Sequence, residues 1–408
     1  MWASFIFGGT TRAMRATNKA IQLRSALTVV GIALVARIGV MLFLTSGRVS
    51  LGDPAAYQAL AENLVAGRGM VVESFGLQLR AFYPPLYPLL LAGTFAPLSQ
   101  PAILGLNFVI DIAAAAAIVW LGQLIDKRRA GMIAAVIYLL WPSNVLFAPI
   151  PQKEGLVTLL TILSACLILA RKPILLGIVI ALLALTQPAL APLPFVFAIA
   201  LRSKLRDLAP AVPVAALILL PWWVRNYLVL GAFVPLTTAS GGSLWVGTFS
   251  PDAWFMEPPR RLFSGGELAF SRAAAAEARR WISAHPLDYA FHCLGKLTRA
   301  AVGGWWAVDR VTRMDPPTPW FTAVVPFTIA LGAILNALAI VGAIAVATPV
   351  RRLLLACLIQ ILLFQIWFEF SERHTYFLLP FLMLAAVGGL MALRSNKDAD
   401  QKHRNEAA

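Results

Sequence analysis

Residues 101–125 read Pro101-Ala-Ile-Leu-Gly-Leu-Asn-Phe-Val-Ile-Asp111-Ile-Ala-Ala-Ala-Ala-Ala-Ile-Val-Trp120-Leu-Gly-Gln-Leu-Ile125, an apolar run broken by a single ionisable side chain, Asp111. A helix needs about 20 predominantly apolar residues to cross a hydrocarbon core, and this stretch is long enough. Comparable runs recur near 25–46, 130–148, 154–170, 208–224, 322–347, 353–370 and 375–393. The chain of 408 residues is 59% hydrophobic and 13% charged, where soluble domains average about 45–50% and 25%. A soluble protein with that excess could not cover its own surface. Disorder is excluded by the same figures. The three cysteines, Cys166, Cys293 and Cys357, are too few and too scattered for a disulfide framework or a metal-ligand pattern. The composition predicts an all-α polytopic membrane protein.

Two segments decide how many times the chain crosses. The run 174–201 is broken at Thr186-Gln187-Pro188, with Pro192 and Pro194 beyond, and 85–98 contains Pro85, Pro88 and Pro97. Reading 174–201 as a two-helix hairpin and 85–98 as a surface segment gives about ten transmembrane helices. With the first apolar run as an uncleaved signal anchor behind Arg12, Arg15, Lys19 and Arg24, both termini are expected in the cytoplasm. Short cytoplasmic loops are enriched in lysine and arginine. The ten-helix arrangement puts ten basic residues (Lys127, Arg128, Arg129, Arg171, Lys172, Arg202, Lys204, Arg206, Arg351 and Arg352) in short inner loops. Only Lys153 and Arg373 fall in short outer turns. Alternative parities move a basic cluster outside. The net charge of +15 is then chiefly an orientation signal, and no nucleic-acid partner is implied.

The expected organisation is a cytoplasmic segment 1–24, a membrane domain 25–393 with long outer loops at 47–100 and 225–320, and a cytoplasmic tail 394–408. Stretches such as Tyr289 to Trp306 suggest juxtamembrane helices on the outer face.

Most polar signals gather at the outer ends of the helices. Asp53, followed by Pro54 and ending at Gly67, begins a well-punctuated helix in the first loop. It can cap that helix, and a carboxylate just above a bilayer can also act as a general base. Tyr57 shares the helix. The passage Ala81-Phe82-Tyr83-Pro84-Pro85-Leu86-Tyr87-Pro88 follows. Lys153 and Glu154 sit in a short turn, where Glu154 suits a helix N-terminus and Lys153 is either an interfacial anchor or a phosphate partner. Arg225 lies in Trp222-Trp223-Val224-Arg225-Asn226-Tyr227, and Arg373 in Ser371-Glu372-Arg373-His374-Thr375-Tyr376. Arg37 and Asp111 fall at matching depth on consecutive helices and are expected to pair inside the membrane, in a structural or a binding role. His285 and His292, seven apart, read as packing, and His374 as a residue near the cavity.

These five segments, in this order, resemble the bacterial polytopic glycosyltransferases of the C superfamily, the relatives of protein O-mannosyltransferases and lipid A aminoarabinose transferases. The resemblance spans about 25–393. It implies outer-loop surface helices forming a cavity above a helical bundle. It also implies transfer of a sugar from a polyprenyl-phosphate donor to an acceptor on the outer face of the inner membrane, with Asp53 as base. Pro54 stands where several members carry a second acidic residue, so a divalent metal is possible but not supported and no metal ligand is assigned. Gln187 stands where many relatives have arginine.

The chemistry fits the residues independently. Loss of a polyprenyl phosphate builds negative charge on the leaving group, which fixed cations stabilise; Lys153, Arg225 and Arg373, at outer helix ends, are the candidates. One base then suffices for direct, inverting displacement, and Glu154, Tyr57 and Tyr83 complete the expected substrate contacts. The absence of a soluble outer domain favours a lipid or saccharide acceptor. No cofactor beyond the donor lipid is expected. A transporter or lipid flippase without transferase activity is the alternative, favoured by the broken 174–201 region; against it, no internal repeat is visible.

Overall fold

The computed structural model describes residues 24–42, 52–74, 76–94, 99–249, 258–302, 321–345 and 348–407. The basic N-terminal cluster Arg12–Lys19 and residues 303–306 lie outside them. The first half contains α1 (Arg24–Leu42), α2 (Gly52–Val65), a hairpin of β1 (Val72–Ser74) and β2 (Leu77–Leu79), and α3 (Leu86–Ala92). It continues with α4 (Gln100–Leu124), α5 (Arg128–Leu140), α6 (Pro142–Phe147), α7 (Glu154–Leu169) and α8 (Pro173–Ala184). The second half contains α9 (Leu193–Ala200), α10 (Leu205–Leu208), α11 (Ala211–Leu230), α12 (Ser240–Phe249), α13 (Gly266–Ala284) and α14 (Pro286–Val302). The last three helices are α15 (Phe321–Ala345), α16 (Thr348–Phe364) and α17 (Leu379–Ala407). The hairpin is antiparallel, pairing Val72 with Leu79 and Ser74 with Leu77.

Among the described residues, five helical stretches are long and apolar enough to cross a membrane: Arg24–Leu42, Gln100–Leu124, Leu205–Leu230, Pro326–Ala345 and Glu372–Ser395. Shorter apolar helices run over Glu154–Leu169, Pro173–Ala184 and Pro188–Ala200. The described residues therefore form a helical fold with five candidate membrane spans and do not confirm a count of ten. The differences from uniform spans have local causes. The 130–148 run splits at Trp141, because Pro142 starts a new helix at N1. The 174–201 run divides into α8 and α9, with Leu185–Gln187 between them and a 3-10 turn at Pro188–Leu190. The expected span 353–370 leaves helical geometry after Phe364. The segment 85–98 contributes α3, whose 7 residues are too short to cross.

Helix α4 packs on α5 and α7, α8 on α7 and α11, α9 on α16, and α15 on α17. Small residues permit the closest approaches, as membrane helix packing favours. A Cβ on Gly389 would lie 2.3 Å from the Gly342 Cα of α15. Elsewhere α11 exposes Leu217, Leu220 and Leu228, a surface suited to lipid.

Arg37 of α1 is fully buried and reaches across the bundle, with Nη2 2.7 Å from Asp111 Oδ2. Its Nη1 donates to Leu139 O at 2.8 Å and Ala33 O at 3.1 Å, and its guanidinium lies over the Phe108 ring. The Tyr138 hydroxyl donates to Asp111 Oδ1 at 3.4 Å. The two charges and their partners tie α1, α4 and α5 together.

Candidate functional site

Helix α2 begins where Gly52, at φ +73°, turns the chain into Asp53 and Pro54, a positive φ that glycine adopts without strain. The helix ends with Arg68 N donating to Asn63 O and Gly67, at φ +71°, donating to Leu64 O, the hydrogen-bond pattern of a glycine C-terminal cap. This places Asp53 in the first turn. Its carboxylate is committed to a distant partner, with Arg373 Nη1 donating to Oδ2 at 2.7 Å. Arg373 stands in the 3-10 turn Glu372–Leu378 that precedes α17, and its Nη2 donates to Glu369 Oε1 at 3.1 Å. One guanidinium thus bridges two carboxylates. The Arg373 side chain is almost enclosed, whereas Asp53 remains 26% exposed and can be reached.

Lys153 lies at the N-cap of α7, immediately before Glu154. Its Nζ sits 5.7 Å from the centroid of the Tyr57 ring, within cation–π range. Tyr57 is buried and meets Tyr83 and Tyr87 edge-to-face, at 5.7 and 5.5 Å. Tyr87 donates to Asn107 Oδ1, and Asn107 Nδ2 donates to Ala148 O and Ile150 O. This chain of contacts holds the turn that carries Lys153 against α2 and α3. A small pocket of about 20 Å³ lies among Lys153, Glu154, Gln187, Arg373, His374 and Tyr376. Glu154 Oε2, Gln187 Oε1 and the Tyr57 hydroxyl are buried without a hydrogen-bond partner among the described residues, and such groups are costly unless something satisfies them.

Burial by itself would push the Asp53 carboxyl up, but Arg373 and then Lys153 outweigh it and hold the acid below the usual carboxylate range. Burial pulls the Lys153 ammonium below its ordinary value despite Asp53 and Glu154 nearby. The Tyr57 and Tyr83 phenols are pushed up by burial first and by Asp53 second. At neutral pH the site holds an ionised Asp53 and neutral phenols.

The structure brings Asp53, Tyr57, Tyr83, Lys153, Glu154 and Arg373 together. Arg225 goes elsewhere: its guanidinium donates to Arg80 O at 2.7 Å and Met70 O at 2.9 Å and packs over Trp222. It holds the hairpin loop, so the expectation that it meets Lys153 and Arg373 is corrected. Arg68 and Arg80 bond locally, to Asn63 and Gln78. His285 and His292 stack on Trp281. His374 Nδ1 accepts the Ser371 N–H and lines the pocket.

Two acidic residues escaped the sequence reading. Glu369 was readable in principle, four residues before Arg373. Glu267 accepts from Arg80 N at 2.7 Å, Ala81 N at 3.0 Å and the Thr238 hydroxyl; its partner at Arg80 is 187 residues away in sequence, beyond any local pattern.

No metal-binding cluster of three or more His, Cys, Asp or Glu occurs among the described residues. Asp53 is flanked by Arg373 and Lys153, a setting unsuited to a metal cation as well.

This arrangement, an acid and two cations beside a pocket of a helical bundle, is built on a fold similar to that of a solved oligosaccharyltransferase. The oligosaccharyltransferase of Archaeoglobus fulgidus, solved tethered to an acceptor peptide containing an NVT sequon, superposes with TM-score 0.53 at 14% identity, over 91% of this chain and 50% of that one. The same archaeal enzyme, AglB, solved with an inhibitory peptide and a dolichol-phosphate, gives 0.52 at 15% identity, over 93% and 51%. The chain thus spans about half the length of these neighbours. ArnT from Cupriavidus metallidurans in the apo state matches at TM-score 0.41 and 14% identity, over 93% of this chain and 79% of that one. For the archaeal oligosaccharyltransferase, at these identities, the likeness is one of fold. No protein-family profile and no curated protein sequence matches the chain.

Proposed function

We propose that the protein is a membrane glycosyltransferase that moves a sugar from a polyprenyl-phosphate donor to a lipid or saccharide acceptor, with inversion and with Asp53 as the base. The observation that carries this reading is the Asp53–Arg373–Lys153 constellation, with Arg373 Nη1 2.7 Å from Asp53 Oδ2, on a fold shared with an enzyme solved with a dolichol-phosphate. In the reaction the acceptor hydroxyl gives its proton to Asp53 and its oxygen bonds to the anomeric carbon. The bond from that carbon to the phosphate oxygen breaks, and the electron pair leaves with the polyprenyl phosphate. Lys153 and Arg373 stabilise that growing charge.

The ion pair also suggests an order of events. While Arg373 is bound to Asp53 the carboxylate is a weak base. A donor phosphate that draws the guanidinium to itself releases Asp53 to take the acceptor proton. Glu154, Gln187 and Tyr57, with unspent polar atoms, are suited to sugar hydroxyls.

The basic loops support an orientation with both termini cytoplasmic and the site on the outer side of a bacterial inner membrane. The test is incubation of membranes containing the full-length protein with radiolabelled undecaprenyl-phosphate sugars. Transfer of label to lipid or saccharide supports the reading. Movement of donor lipid across the bilayer without transfer supports a flippase and defeats it.

A further inference from the structure

Besides Arg37, another buried cation lies outside the chemistry just described. Lys296 lies on α14 and is 1% exposed. Its Nζ donates to Gly247 O of α12 and to Phe368 O, both at 3.0 Å, and sits 5.6 Å from the centroid of the Tyr289 ring. The segment beyond α16 is not helical, so its carbonyls need partners from elsewhere. Side chains of α14 supply them for three consecutive residues: Cys293 Sγ lies 3.5 Å from Ile366 O, the Tyr289 hydroxyl donates to Trp367 O, and Lys296 takes Phe368 O. The next residue is Glu369. Its N–H donates to Ser243 O of α12 at 2.8 Å, and its carboxylate accepts from Arg373. The clamp is tight at Gly247, where a Cβ would stand 2.3 Å from the Phe368 carbonyl carbon.

We infer that Lys296 is a positioning residue for sugar transfer: by tying Gly247 to Phe368 it fixes the turn that presents Glu369 to Arg373, and through Arg373 it sets the placement of Asp53's partner. The inference rests on the proposed function. Lys296 does not line the pocket, and its described bonds lead to it by way of Phe368, Glu369 and Arg373. Removing the ammonium leaves the Gly247 and Phe368 carbonyls without that donor and loosens Glu369. Arg373 then loses one of the carboxylates that orient it.

The experiment is a double-mutant cycle of Lys296→Met and Glu369→Gln in the detergent-purified full-length protein. It is read as turnover with an undecaprenyl-phosphate sugar used by the unsubstituted chain, together with binding of undecaprenyl phosphate followed by tryptophan fluorescence. Displacements of about an ångström cost on the order of 10²-fold in turnover. Lys296→Met is therefore expected to lower kcat about 10- to 100-fold while donor KM and undecaprenyl phosphate affinity change less than about twofold. The double variant is expected to lose no more than Glu369→Gln alone, since both act through one contact. Tyr289→Phe, which keeps the ring and frees Trp367 O, takes the place of Lys296→Met in the cycle if the latter does not purify as a monodisperse protein. Unchanged kcat, or losses that multiply in the double variant as for independent sites, would overturn the inference. An unsubstituted chain that transfers no sugar defeats the proposed function and this inference with it; an active chain indifferent to both α14 substitutions defeats this inference alone.

Discussion

Replacing either member of the Arg37–Asp111 pair destabilises the bundle, and the two losses are unequal. Arg37 is fully enclosed and distributes its guanidinium among Asp111 Oδ2 at 2.7 Å, Leu139 O at 2.8 Å and Ala33 O at 3.1 Å. Asp111 has, beside Arg37, the Tyr138 hydroxyl at 3.4 Å. Removing one partner of a buried ion pair costs about 3–5 kcal/mol, because the remaining charge is uncompensated. Asp111→Leu leaves a guanidinium that cannot lose its proton, so its loss falls near 5 kcal/mol. Arg37→Leu leaves a carboxyl, which can become neutral by taking up a proton, so its loss falls near 3 kcal/mol. The double replacement puts apolar groups where both charges were, and buried pairs exchanged in this way are often no less stable. The assay is heating of the detergent-solubilised full-length protein at fixed detergent and protein concentration, followed by the surviving monodisperse peak in size-exclusion chromatography. The order expected in apparent melting temperature is Asp111→Leu lowest, Arg37→Leu next, and the double variant close to the parent. Single variants that melt with the parent, or a double variant carrying the sum of both losses, would refute the reasoning.

The Asp53 carboxyl is held below its ordinary value, so it stays charged as pH falls toward the unfolded-state carboxylate range near 3.9 and is lost only on passing below that. Arg373→Gln removes the main opposing charge and is expected to move the acid limb of the pH–rate profile to higher pH; an acid limb that moves down would contradict the assignment. Glu267→Ala removes the acceptor for Arg80 N, Ala81 N and the Thr238 hydroxyl. Bonds to a charged group are worth about 1.5–3 kcal/mol, so the variant is expected to unfold earlier in the same heating assay. Gly389→Ala forces a methyl to within 2.3 Å of the Gly342 Cα; overpacking of this kind costs about 1–3 kcal/mol, and a variant as stable as the parent would contradict the close approach.

What could be read from sequence follows what depends on short range. Crossing helices such as Gln100–Leu124 were legible because twenty-odd apolar residues leave a chain few alternatives. The break at Thr186-Gln187-Pro188 was legible as a division into two helices, whereas the one at Pro142 went unread inside a continuous apolar run. Arg37 and Asp111 could be matched because consecutive antiparallel helices convert sequence distance into depth. Arg225 could not be placed in this way. Its motif locates a helix end, but its guanidinium finds carbonyls 145 and 155 residues away, a choice made by the fold of the hairpin loop. Nothing in the local sequence marks Lys296, whose burial comes from α12 and the 366–368 segment closing over it.

The central claim is that Asp53 takes the acceptor proton. Asp53→Asn keeps the shape of the side chain and an oxygen that can accept from Arg373, and removes the base. The direct measurement is transfer of labelled sugar from an undecaprenyl-phosphate donor by this variant, with donor binding measured on the same preparation. Loss of transfer by about 10²-fold or more, with donor binding retained, is the predicted result. Transfer at the parental rate would contradict the account.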